Sequence, residues 1–142
     1  MRFARDSAQA ALKALDECSA PISVNHLAAI AGLDVRESDA VPNALRARLV
    51  GRTIELAPSD SSRGKRFSVA HELGHHRMGT VHGASSRSEA EADHFANELL
   101  VPRQLLVSAV QSSTDVRELA DLFEVSSQVI RIAAEYHKIR VT

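Results

Sequence analysis

Apolar positions recur at helical spacing along most of the chain. Ala8, Ala11, Leu12, Leu15 and Cys18 fall on one stripe, which predicts an amphipathic helix over 6–18, stopped by Ala20-Pro21. A second short helix is expected over 24–31, with Ser23 as its cap and Gly32 just past its end. Residues 33–37 read as a short strand. The period then changes. Leu45, Ala47 and Leu49 alternate with Arg46 and Arg48, Gly51-Arg52 interrupts, and Thr53-Ile-Glu-Leu-Ala57 follows, which is a hairpin pattern. Residues 58–64 are loop-like in composition. Helical spacing returns over 66–78 through Phe67, Ala70 and Leu73. After a loop over 79–86 it resumes over 89–101 through Ala92, Phe95, Ala96, Leu99 and Leu100, with Ser86 or Ser88 as the expected cap. Pro102 stands at the first turn of a helix over 102–110, and helices over 115–123 and 126–138 follow. A small antiparallel sheet early and helices late predict an α+β fold.

Composition narrows the setting. A chain of 142 residues, 44% hydrophobic, is long enough for one domain with its own core. A single cysteine, Cys18, rules out an intramolecular disulfide and favours a reducing compartment. No apolar run reaches the ~18 residues of a membrane span. Charges interrupt the apolar positions of the first twenty residues, so no signal peptide is expected. The expected location is cytoplasmic, without membrane attachment. A net charge of -1 argues against general electrostatic binding of nucleic acid.

The chemistry concentrates in His71-Glu72-Leu73-Gly74-His75. Residues four apart on a helix share a face, so the two imidazoles can chelate one Zn2+. Glu72 then lies beside the metal, placed to hold a water and accept its proton. The competing reading, two surface histidines on a solvated helix, is disfavoured because this pentapeptide arises by chance in roughly 0.02 of chains of this length. A catalytic zinc takes three protein ligands and keeps one position open. The third is sought in Glu89-Ala-Glu-Ala-Asp93, at the start of the next helix. Glu89 and Asp93 share a face and Glu91 points elsewhere. Glu89 is therefore the favoured ligand, Glu91 the alternative, and Asp93 the acceptor for a ligand histidine's free N–H. An acidic helix start also complements the helix dipole, which does not account for the pairing with two histidines.

Residues 66–102 resemble the ImmA/IrrE family of bacterial and phage metallopeptidases. The resemblance rests on Phe67-Ser-Val-Ala-His-Glu-Leu-Gly-His75 and Glu89-Ala-Glu-Ala-Asp-His-Phe-Ala-Asn-Glu-Leu-Leu-Val-Pro102. It implies a zincin-like helix pair with His71, His75 and Glu89 as ligands and Glu72 as general base. It also implies a narrow protein substrate, a helix-turn-helix repressor of the Xre type. Mn2+ is a second candidate for a site with a carboxylate ligand.

Other residues carry less specific signals. His82, in the loop before Glu89, is a candidate for substrate or oxyanion contact, against the ordinary reading of a solvated loop histidine. His76 lies about 100° around the helix from His75 and reads as a surface histidine. Tyr136 and Cys18 read as packing residues. The strand Thr53–Ala57 is a candidate edge strand for pairing with an extended substrate. Leu119-Ala-Asp-Leu-Phe-Glu-Val-Ser126 looks like a helix-turn-helix, with Glu124 where glycine is usual. Its four cations against five carboxylates over 115–142 form no phosphate-binding stripe, so direct nucleic-acid binding is not expected. The expected division is a metallopeptidase domain over 1–112 with a helical subdomain over 113–142 packed on it. The alternative is a non-enzymatic regulator or toxin–antitoxin component that binds a repressor or DNA, its metal site structural or degenerate.

Overall fold

The computed structural model describes residues 2–142. The elements run α1 (Arg2–Leu12), α2 (Val24–Ile30), β1 (Asp34–Glu37), β2 (Ala47–Val50), β3 (Thr53–Leu56), α3 (Ser62–Met78), α4 (Ser86–Leu100), α5 (Arg103–Ala109), α6 (Val116–Phe123) and α7 (Ser127–His137). This is the expected α+β class. No helix among the described residues is long and apolar enough to cross a membrane.

Helix boundaries move where local chemistry competes with periodicity. α1 starts earlier than predicted, because Ala4, Ala8 and Ala11 form its buried stripe, and it stops at Leu12. Leu15 and Cys18 still pack on the core, but from a bend and irregular backbone rather than a helix. α3 begins four residues before the predicted Arg66, since Ser61 caps it by accepting from the Gly64 N–H at 3.0 Å. The serine-rich stretch that reads as loop is thus a helix start. α4 is capped by Ser85 rather than Ser86 or Ser88, in a reciprocal arrangement with Ser88.

The sheet has the order β1-β3-β2. β2 and β3 form the predicted antiparallel hairpin, and β1 joins β3 in parallel, making the sheet mixed. β3 is therefore central and its backbone is paired on both sides, so Thr53–Ala57 is not an edge strand. Glu55 on β3 lies opposite Arg36 on one neighbour and Arg48 on the other. Its buried carboxylate is bound by both, at 2.6 and 2.9 Å, and they hold its pKa below the usual carboxylate range. That three-strand ion pair depends on register, because a one-residue slip would turn Glu55 to the opposite face.

The hairpin packs on α3, and α3 packs most extensively on α4. His71 faces Asp93 and His75 faces Glu89, so the two helices run antiparallel. Gly74 allows their close approach: a Cβ there would lie 2.8 Å from Cδ1 of buried Phe95. α6 and α7 pair through a tight turn in which Glu124 takes the left-handed conformation, with φ of 53°. Their apolar faces join the one core that also holds Leu73, Phe95 and Leu99.

Candidate metal centre

The site forms where the middle of α3, the first turns of α4 and the 79–85 loop meet. His71 and His75 lie one turn apart on α3, both buried, with their Nε2 atoms 3.2 Å apart. Glu89 on α4 completes the group. Its Oε1 is 2.8 Å from His75 Nε2 and its Oε2 is 3.1 Å from His71 Nε2. Donor atoms at ~2.0–2.1 Å from a tetrahedral metal stand about 3.3 Å from one another, so this donor set suits such an ion.

Each histidine is oriented from behind. His71 Nδ1–H donates to Asp93 Oδ1 at 2.8 Å, the contact expected of Asp93. His75 Nδ1 is hydrogen-bonded to the Thr80 hydroxyl at 2.7 Å. The Asp93 carboxylate, which only accepts, fixes the His71 tautomer with its Nε2 lone pair facing inward, and the Thr80 bond holds the His75 ring with Nε2 toward the same point. Burial works to lower the His71 pKa, but the Asp93 hydrogen bond and the charges of Asp93, Glu72 and Glu89 outweigh it and hold the value up. Burial and the neighbouring His71 push His75 down. Burial works to raise Glu89, but the Gly83 N–H at 2.8 Å and the three nearby histidines hold it in the carboxylate form.

Glu72 is 1% exposed and reaches the same space. His82 Nδ1 lies 2.5 Å from its Oε1, while its Oε2 is buried with no hydrogen-bond partner. His82 thus sits inside the cluster. One donor atom from each of His71, His75, His82 and Glu89 lies within 4.8 Å of all the others. Glu91 lies outside it, pairing with Arg87 on the α4 surface at 3.2 Å. His76 is exposed, and Tyr136 packs against His94, the two rings tilted by 60°, instead of approaching the site.

Thr80 and the Gly83 N–H escaped the sequence reading because loop residues have no period. A signal was present for Thr80. Gly79 is a helix stop whose left-handed turn folds the next residue back, and the Thr80 N–H donates to His75 O at 2.9 Å.

A groove of about 550 Å³ opens beside Asp93, between α3, α4 and α7, lined among others by Arg46, Phe67, Asn97, Val129 and Ile132. Arg46 immediately precedes β2, so this groove reaches the start of that edge strand.

No curated protein matches the chain by sequence. Among solved structures, the fold is similar to that of a Mycobacterium tuberculosis transcriptional regulator, with a TM-score of 0.68 and 15% identity. The match covers 92% of this chain and 45% of that one, so the chain spans less than half the length of that protein. At this identity the likeness concerns the fold alone. The family model described as the IrrE N-terminal-like domain, Peptidase_M78, matches residues 28–135, a stretch that takes in the whole sheet, both site helices and most of the α6–α7 pair, and the chain belongs to that family.

Proposed function

We propose that the chain is a zinc-dependent endopeptidase that cleaves a cytoplasmic protein, a helix-turn-helix repressor of the Xre type. One observation carries the enzymatic part. Three inward-facing donors from His71, His75 and Glu89 meet beside Glu72, a buried carboxylate with an oxygen free of protein partners. Membership of a peptidase family supports the same reaction class.

Zinc, when bound by these three residues, supplies the charge that polarises a carbonyl and acidifies water. Glu72 holds the attacking water and takes its proton as the carbonyl carbon is attacked. It then passes that proton to the leaving amine as the peptide bond breaks. Asp93 keeps His71 in its binding tautomer and Thr80 holds the His75 ring in place throughout. An extended substrate segment pairs with β2, an edge strand whose start reaches the groove, in place of the central β3. Residues 113–142 serve as a helix-turn-helix-like subdomain packed on the peptidase portion, where they help dock the substrate. The likeness to a transcriptional regulator fits a role in gene control.

The test pairs metal content with cleavage. Wild type should hold about one zinc per chain, lost in Glu89→Gln and kept in Glu91→Gln, as read by elemental analysis. Glu72→Gln should keep the metal and the fold and cleave the repressor about 10²–10⁴-fold more slowly. A Glu72→Gln protein that cleaves, or still relieves repression, at the wild-type rate would defeat the enzymatic reading and leave a binding module.

A further inference from the structure

We propose that His82 is a fourth, displaceable donor to the metal, so that the loop over 79–85 closes the centre at rest; this deepens, and rests on, the metal reading of His71, His75 and Glu89. A catalytic metal keeps a position open, and four protein donors fill it. The His82 ring stands 5.4 Å from that of His71 and 5.6 Å from that of His75, centroid to centroid. Three imidazoles and a carboxylate thus surround one point.

The hydrogen bonding gives His82 the right tautomer for this task. Glu72 is a carboxylate acceptor, so His82 Nδ1–H donates to Glu72 Oε1. That leaves the Nε2 lone pair free, on the side of Glu89, whose Oε2 is 4.0 Å away. A carboxylate behind an imidazole whose other nitrogen faces a metal is the arrangement that orients metal-bound histidines. In this state Glu72 Oε1 is engaged by His82 instead of a water. The contact therefore disables the centre twice, by filling the open position and by occupying the base.

The loop is built so that His82 alone can leave. Thr80 is anchored to His75 and the Gly83 N–H to Glu89. Between these anchors the His82 side chain is about a third exposed. Gly79 and Gly83 both have positive φ, and neither has an atom within 4 Å of where a Cβ would stand. Rotation of one side chain withdraws the imidazole without breaking either anchor. A substrate that reaches the groove and presses on this loop frees Glu72 and the fourth position together, and a chance peptide that does not reach His82 finds the centre closed.

The probe is Co2+, added alone to the full chain as wild type, His82→Ala and His82→Asn, with circular dichroism reporting the fold. Wild type should bind one Co2+ with a visible spectrum that azide does not change. The two variants should release Co2+ to a chelator about 10–100-fold more readily, and azide should shift their spectra at millimolar concentration. Equal affinity and equal azide response in all three would overturn the fourth-donor assignment. If His71→Ala loses Co2+ in that case, the three-residue centre survives and only the closing role of His82 fails. Wild type that binds no Co2+ would overturn both.

Discussion

Glu98 lies on α4, 4% exposed, its Oε1 3.6 Å from His94 Nε2 and from His137 Nε2 and in hydrogen bond with neither. Burial raises its pKa, with Arg5 of α1 working the other way, and burial lowers those of both histidines. The folded chain holds the Glu98 proton more tightly than the unfolded chain, so this residue's contribution is complete below the ordinary carboxylate pKa and declines as pH rises through the raised value. Glu98→Gln, which cannot ionise, should therefore raise the melting temperature by a few degrees at pH ~8 and leave it unchanged near pH ~4. A gain of equal size at both pH values would mean that ionisation is not the cause. Legibility at this scale depends on whether a neighbour is local. His71, Glu72 and His75 are readable because helix pitch alone brings them together, and Glu89 is preferred over Glu91 by the same pitch. His82 lies in a loop with no period to define its face, and only the folded loop brings it beside Glu72 and Glu89.

Between elements, the contact that matters most is α3 against α4, since the proposed donors are divided between them. Gly74 sits inside the His71–His75 turn, with Phe95 against it. Alanine there gains up to about 1 kcal/mol in helix propensity but forces a methyl into a rigid buried ring, an overpacking cost of typically ~1–3 kcal/mol. Gly74→Ala should thus destabilise by a net ~1–2 kcal/mol in chemical denaturation and weaken Co2+ uptake, because the helix carrying Glu89 is pushed away. Full stability with unchanged uptake would show that Phe95 moves aside at no cost. The period of the Phe67–Leu73 stripe identifies α3 as amphipathic and cannot say which small residue its partner touches. The hairpin tells the same story. Alternation and Gly51 predict β2 and β3, but the parallel pairing of β1 is a contact across about twenty residues, and it alone makes β3 central.

For the whole molecule, the question is whether α6 and α7 stand apart. Arg63 donates to Val125 O at 3.0 Å and to Asp121 at 2.6 Å, and Arg66 to Glu124 O at 3.1 Å and Phe123 O at 3.3 Å. The helix that carries both site histidines therefore satisfies the carbonyls at the α6–α7 turn. Leu119, Phe123, Val125 and Ile130 belong to the same buried cluster as Leu73, Phe95 and Leu99. A chain cut to residues 1–112 should lose its cooperative thermal transition, since it exposes one face of the shared core. A cut chain that melts cooperatively near the wild-type temperature would make 113–142 a separable subdomain.

The residues alone specify whatever follows from the geometry of a single element: the helices, the hairpin, and the shared faces of His71 with His75 and of Glu89 with Asp93. Those are short-range consequences of 3.6-residue and two-residue periods. The folded chain decided the rest: which strand is central, which serine caps α4, that Thr80 backs His75, and that His82 reaches Glu72. Each of these joins residues whose separation is set by a turn or by packing between elements, and no period in the sequence encodes such distances.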